Sequence, residues 1–278
     1  MSGTFGFRVW GARGSLPRQD ETQRVYGGNT VCVEVLHPGE QTVILDAGTG
    51  IANLGDRLLK DGKPAPAHLF LSHYHWDHIM GLPFFGPIYR DGFAISLYGL
   101  QSDRGCLEEM LDVTFSAFYS PIYSSENLRS HISIPKKRSS QYIDDLVVKT
   151  FDLTRIHPGG CMIMRVEGFG KSFVYAPDVE LRDPSVTAEF VRCCQGADVL
   201  VCNGAYSQER FDASVGWGHS SLEVAYEAAH RAAVKRLVGI HFEPRRSDRE
   251  IDETVARQKG RFEGTTLEAA REGDTIWL

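Results

Sequence analysis

Apolar, often β-branched runs recur along the chain at VCVEVL (31–36), TVILDAG (42–48), HLFLS (68–72), FAISLYG (93–99), LVVKTFDL (146–153), CMIMRVE (161–167), KSFVYAP (171–177), DVLVCN (198–203) and RLVGIHF (236–242). Most are of strand length and bounded by turn residues. Between them lie stretches with helical periodicity: GIANLGDRLLKDG, the segment from Gln101 to about Val113, PSVTAEFVRCCQG, HSSLEVAYEAAHRAAV and SDREIDETVARQKG. Capping chemistry marks some of their starts, with Asp183 ahead of Pro184 and Ser220 three residues before Glu223. Clusters of strands alternating with helices predict an α/β architecture. Two strand-rich halves, roughly 5–100 and 146–278, flank the segment 102–140, which is rich in Ser, basic and aromatic residues (Phe115, Phe118, Tyr119, Tyr123). Excursions of that length usually have a role, and a lid, a homodimer contact and a plain surface loop are the readings open to it.

Composition narrows the class. The chain has 278 residues, of which 42% are hydrophobic and 24% charged, values ordinary for a globular protein in water. Its net charge of −6 gives no global attraction for nucleic acid, whose binding rests on neutralising phosphates. The short basic clusters Lys136, Lys137, Arg138 and Arg245, Arg246 read first as solvated loops and second as a site for a phosphate-bearing ligand. No apolar run reaches membrane-spanning length and MSGTFGFRVWGARG lacks the pattern of a secretory signal, so a cytoplasmic protein is expected. Six cysteines without a CxxC pair read as reduced core thiols.

The chemistry begins at HYHWDH, residues 73–78, which follows the buried run HLFLS and so starts at a strand's carboxyl end. His73 and His75 are two apart and fall on one side of an extended turn. Asp77 and His78 open the next element and point elsewhere. Four ligands from one turn are hard to aim at a single tetrahedral ion, which favours two ions, each completed from distant positions. A histidine-rich surface loop is the bland alternative, and four ligand types at this spacing count against it. Three further candidates each follow a strand-like run: His157 in HPGG, Asp178 after SFVYAP and His241 after RLVGI.

HYHWDH followed by His157, Asp178 and His241 in that order resembles the metallo-β-lactamase superfamily, whose fold is a four-layer αββα sandwich within one domain. The resemblance implies that His73, His75 and His157 hold one divalent ion and Asp77, His78 and His241 a second, with Asp178 bridging. Zinc suits a histidine-rich set, and the carboxylates also admit manganese or iron. WGARGSLP, YGGNT and LDAGTG tighten the resemblance to the branch of cyclic-nucleotide phosphodiesterase-like and ribonuclease Z-like enzymes. Within these motifs Asp46 is expected to orient a ligating histidine. Arg13 and Asn29 could approach substrate or equally stabilise turns.

Alone, GWGHSS (216–221) would read as a turn histidine beside a helix cap at Ser220. In ribonuclease Z and related small phosphodiesterases a similar histidine donates a proton, so His219 is the candidate general acid alongside the catalytic centre at Asp77. The family places a carboxylate near that histidine, and this chain has Asn203 there. Asn203 is expected to accept a hydrogen bond and orient the ring. Unlike a carboxylate it cannot stabilise imidazolium, which leaves His219 a weaker acid or suits it to a different leaving group. Glu209 and Asp212 are the candidate substitutes. His37, His68, His131 and His230 lack such context and read as surface or helix histidines.

These readings converge on a two-metal hydrolase of phosphodiesters, acting on a small or cyclic nucleotide. Alternatives are a ribonuclease Z-like RNA processor, which would need a basic arm that this chain lacks in composition, a glyoxalase II-like thioesterase, and a metal-keeping binding module.

Overall fold

In a computed structural model of the chain, the structure describes residues 4–100, 107–120, 131–136, 138–153 and 155–278. Fourteen strands among them form two seven-stranded sheets. They are β1 (Gly6–Gly11), β2 (Cys32–Leu36), β3 (Thr42–Leu45), β4 (Ala67–Phe70), β5 (Ile95–Tyr98), β6 (Ile132–Ser133), β7 (Ser140–Ile143), β8 (Leu146–Leu153), β9 (Cys161–Gly168), β10 (Lys171–Ala176), β11 (Val199–Asn203), β12 (Arg236–Ile240), β13 (Thr266–Ala269) and β14 (Thr275–Trp277). The first sheet runs in the order β14-β1-β2-β3-β4-β5-β6 and the second β13-β12-β11-β10-β9-β8-β7.

The side chains of each strand divide between two cores because successive residues point to opposite faces. Val33, Val35, Val43 and Leu45 of the first sheet meet Phe173, Tyr175, Val199, Val201, Val238 and Ile240 of the second in a central layer. The alternate residues Cys32 and Ile44 turn outward to a second core under helix Gly50–Asp61. In the other sheet Val174, Ala176, Leu200 and Leu237 face helices Pro184–Cys194 and Leu222–Arg231. The layers are therefore helix, sheet, sheet, helix, the αββα sandwich. Burial on both faces explains why the strands read as nearly continuous apolar runs.

The two halves are not separate in space. The last strand, β14, crosses back to pair antiparallel with β1, with Gly6 opposite Trp277. Five strands carry weaker patterns and escape the sequence reading: β1, β6, β7, β13 and β14. Part of the segment 102–140 belongs to the sheets or to a helix. Leu107–Thr114 is helical, β6 extends the first sheet, and Ser140 opens β7 at the edge of the second. Residues 102–106, 121–130 and 137 lie outside the described residues, and so does that part of the lid or dimer reading.

Several local expectations are revised. Ser221, not Ser220, caps helix Leu222–Arg231 by accepting from Val224 N. The Ser220 hydroxyl is already engaged, donating to Val179 O and accepting from Leu181 N. Asp183 caps its helix as expected. Arg246 is a buried strut that donates to Gly204 O and Thr254 Oγ1, whereas Arg245, Lys136 and Arg138 are exposed. His68 sits half-buried in β4, bonded to Tyr98 Oη and Gln41 Oε1. Cys32, Cys161, Cys193, Cys194 and Cys202 are free thiols. Among the described residues no helix is long and apolar enough to cross a membrane.

Candidate metal centre

The site lies beyond the carboxyl ends of β4, β10, β11 and β12. HYHWDH leaves β4 as an extended turn through His75 and enters a single helical turn at Trp76–Ile79, which swings Asp77 and His78 away from His73 and His75. Asp178 follows β10, Asn203 ends β11 and His241 follows β12. His157 comes from the connection between β8 and β9.

The seven candidate ligands meet in two groups. His73, His75, His157 and Asp178 form one, and Asp77, His78 and His241 the other; Asp178 also lies with His219 and His241. Apart from His75, which is exposed at the mouth, all are buried. Asp178 is the shared element. Its Oδ2 stands 3.4 Å from His73 Nε2, 3.6 Å from His157 Nε2 and 3.3 Å from His78 Nε2, and its Oδ1 is 3.1 Å from His241 Nε2.

A test of fit comes from these spacings and from unpaired atoms. Nitrogen and oxygen ligands about 2.0–2.2 Å from a tetrahedral ion are about 3.3–3.6 Å from one another. The contacts of Asp178 with His73 and His157 have that spacing, and the buried Nε2 atoms of both rings have no hydrogen-bond partner. Buried polar atoms left unpaired are costly, and a cation would satisfy them. The residues fit divalent metal ions.

Electrostatics point the same way. Burial, with the rings of His78 and His157, holds His73 well below the usual imidazole range, and burial pushes His157 down to about 3. Burial opposes charge on Asp178, yet His241, His219 and His78 outweigh it and keep the carboxylate ionised. Neutral His73 and His157 beside an ionised Asp178 are the states that bind metal.

Asp46 orients His78. It accepts from His78 Nδ1 at 2.8 Å, from Ser72 N at 2.7 Å, from Ser72 Oγ at 2.9 Å and from Tyr175 Oη at 2.9 Å. That leaves His78 Nε2 for the centre. Asp46 and His241 both adopt positive φ, 62° and 61°, in non-glycine residues. Such strain tends to collect at functional sites, where the surrounding structure must hold it.

Asn203 lies between Asp178 and His219, and its bonding reverses the expectation. Its Oδ1 accepts from Ala205 N at 3.1 Å and Ser220 N at 3.2 Å. Its Nδ2 therefore faces Asp178 Oδ1 and His219 Nδ1, each at 3.2 Å. The amide donates to the ring instead of accepting from it. Burial opposes charge on His219, while Asp178 at 3.6 Å and Asp77 raise it. Glu209 and Asp212 are exposed on a neighbouring helix, where Asp212 accepts from Gln208, and neither is bonded to His219 among the described residues.

Arg13 and Asn29 serve the fold and do not line the centre. Arg13 is fully buried, donating to Gly27 O and Arg246 O. Asn29 donates to Glu272 Oε1 and accepts from Thr49 Oγ1. Conversely, several contributors to the site escape the sequence reading. Glu180 accepts from the backbone N–H of Gly216 and Gly218 at 2.8 Å each and so ties down the loop before His219. A Cβ at Gly14 would lie 2.1 Å from the His241 ring, and one at Gly218 2.1 Å from the His157 ring. The motif glycines in WGARGSLP and GWGHSS were the available signal.

A family model for the beta-lactamase superfamily domain matches residues 41–242. The chain belongs to the metallo-β-lactamase superfamily. It is 23% identical to a ribonuclease Z of Halorubrum lacusprofundi over 257 residues, covering 75% of this chain and 79% of that protein. Among solved structures, the metallo-β-lactamase fold protein YhfI from Bacillus subtilis aligns over 99% of this chain and 100% of its own, with TM-score 0.71 and 19% identity. A diphosphatase from the PhnP family aligns over 98% and 97%, with TM-score 0.68 and 16% identity. Family and cluster together make this a metallo-β-lactamase-fold hydrolase with a His and Asp centre suited to divalent metal ions.

Proposed function

We propose that the protein is a binuclear metal-dependent phosphodiesterase acting on a small or cyclic nucleotide. The observation that carries this reading is the sharing of Asp178 between both ligand groups with His219 beside it. His73, His75 and His157 would hold one ion and Asp77, His78 and His241 the other, with Asp178 common to both. Zinc is the expected metal, with manganese or iron as the alternatives the donor set admits.

Two ions bound here would supply Lewis acidity to the phosphoryl oxygens and a water made nucleophilic near neutral pH. The chain's own residues do the rest. Asp46 keeps the His78 proton on Nδ1, and Glu180 holds the loop that presents His219 beside the centre. His219 serves the leaving oxygen. A neutral thioester carbonyl needs less charge neutralisation than an anionic phosphodiester, so a centre this rich in cation ligands suits a phosphodiester more than the thioester of the glyoxalase II reading.

The test is a screen of cyclic and linear phosphodiesters on zinc- and manganese-loaded protein, with a glutathione thioester as comparison. Turnover of a phosphodiester that is lost in Asp178→Ala and reduced in His219→Ala supports the reading. Faster turnover of the thioester, or an unimpaired His219→Ala on every accepted substrate, overturns it. The similarity to a ribonuclease Z favours a second reading, RNA 3′ processing, which the same protein tests on a precursor tRNA at sub-stoichiometric enzyme.

A further inference from the structure

We propose that Asn203 fixes His219 in the tautomer protonated at Nε2, so that the ring offers substrate a hydrogen bond and selects leaving groups that depart as stable anions. The inference rests on the phosphodiesterase reading for its substrate class, but its structural half stands on hydrogen bonding alone.

The orientation of a side-chain amide is set by its partners. Two backbone donors, Ala205 N and Ser220 N, converge on Oδ1 of Asn203. Rotating the amide by 180° would turn its NH₂ group against both. Oδ1 is thereby fixed and Nδ2 must face Asp178 and His219. A nitrogen that receives a hydrogen bond carries no proton, so His219 Nδ1 is the bare nitrogen and Nε2 holds the proton. No hydrogen bond involves His219 Nε2 among the described residues, which leaves it available to substrate.

A carboxylate in place of the amide would invert this. It would accept from a protonated Nδ1 and support imidazolium, the form able to give up a proton from Nε2. It would also bring a second negative oxygen to the 3.2 Å separation that Nδ2 now keeps from Asp178 Oδ1. The amide removes that repulsion and with it the support for imidazolium.

The consequence falls on the leaving group. In hydrolysis a bond forms from water oxygen to phosphorus, the bond to the leaving oxygen breaks, and the electron pair stays with that oxygen. A proton donor matters when an alkoxide departs. When the leaving group is a phosphate, a phenolate or another weakly basic oxyanion, it departs unprotonated, the water proton is lost to solvent, and a hydrogen bond from Nε2 suffices. Within the small-nucleotide reading, the substrate class is therefore a nucleotide phosphoanhydride or aryl-type diester rather than a cyclic nucleotide or an RNA chain, both of which expel a ribose alkoxide on cleavage.

Two measurements test it. Ring ¹H–¹⁵N correlations of His219 in zinc-loaded, ¹⁵N-histidine-labelled protein are expected to show a bare Nδ1 and a protonated Nε2, with Nδ1 gaining a proton while Nε2 keeps its own in Asn203→Asp. A protonated or metal-bound Nδ1 in the unsubstituted protein overturns the assignment, whether or not any diester is turned over. Turnover of thymidine 5′-phosphodiesters with leaving groups of graded basicity is expected to fall steeply with basicity. In Asn203→Asp the fall should flatten, with the alkyl-to-aryl rate ratio rising about tenfold or more, the lower range of general-acid effects. A flat dependence in the unsubstituted protein, or one unchanged in a folded Asn203→Asp, overturns the leaving-group selection.

Discussion

The two ligand groups are built from the same residue types and held in different ways. Around His73 and His157 the contacts with Asp178 are 3.4 and 3.6 Å, the rings are kept neutral by burial, and their Nε2 atoms are unpaired. In the other group His241 has closed to hydrogen-bond length, its Nε2 2.9 Å from Asp77 Oδ2 and 3.1 Å from Asp178 Oδ1, while His78 Nε2 stays 3.4 Å from Asp77 Oδ2 and 3.3 Å from Asp178 Oδ2. Burial opposes charge on His78, yet Asp77, Asp46 and Asp178 outweigh it and hold the ring well above its ordinary range. With two ions bound, one would enter the first group by filling a gap and the other would enter the second by displacing the His78 proton. Ligand identity alone therefore does not predict how readily each position fills.

The largest expected effect comes from removing what the groups share. Asp178→Ala should lower metal content at both positions and turnover by at least about a thousandfold, the scale of losing an essential catalytic group. Metal analysis of the purified variant checks it, and retention of two ions would mean the carboxylate is not common to both.

Glycine substitutions should separate the groups. Gly14→Ala pushes a methyl into the His241 ring and Gly218→Ala into the His157 ring, the latter also at φ +81°. Overpacking of this kind costs about 1–3 kcal/mol. We expect Gly14→Ala to lose the ion at the His78 group and Gly218→Ala the ion at the His73 group. Cobalt-substituted spectra distinguish the two positions, and identical losses would erase the distinction.

A smaller change is expected when the support of His78 is weakened. Asp46→Asn replaces an acceptor of four donors by an amide with donors of its own, and should reduce affinity at the second group by about 10–100-fold while sparing the first. Competitive chelator titration reads both affinities.

The gentlest test is pH. His73 and His157 are depressed and hence neutral from mild acid upward, so affinity at their group should be flat there. The proton on the raised His78 competes with metal, so affinity at its group should climb as pH rises, about tenfold per unit at most for one proton displaced. Calorimetry in buffers of differing ionisation enthalpy counts the protons released, with about one expected for the second ion and none for the first.

Much of this was legible beforehand. Strands such as β3 and β10 are buried on both faces and so announce themselves as apolar runs, whereas β13 and β14, shorter and partly exposed, do not. HYHWDH implied two directions of ligation because Asp77 and His78 open the element after an extended turn, and the structure makes that element a single helical turn. Ser220 misled because a hydroxyl caps a helix only if nothing else engages it, and Val179 and Leu181 do. Arg13 and Asn29 sit in motifs that tighten the resemblance, yet their side chains bind distant backbone and Glu272.

By itself the sequence determined the residue types of the centre and the order in which strands deliver them, because these depend on local periodicity and on ligand chemistry, and the resemblance those residues carry implied the αββα class. Only the tertiary structure decided which atoms face each other: that Asp178 stands between the groups, that His241 closes onto two carboxylates while His73 and His157 keep unpaired Nε2 atoms, and that Asn203 turns its NH₂ group toward His219. The physical reason is directionality. A hydrogen bond or a ligand contact depends on the direction of a side chain as well as its identity, and that direction is set by partners such as Ala205 N and Ser220 N, one two residues from Asn203 in the chain and the other brought to it only by the fold.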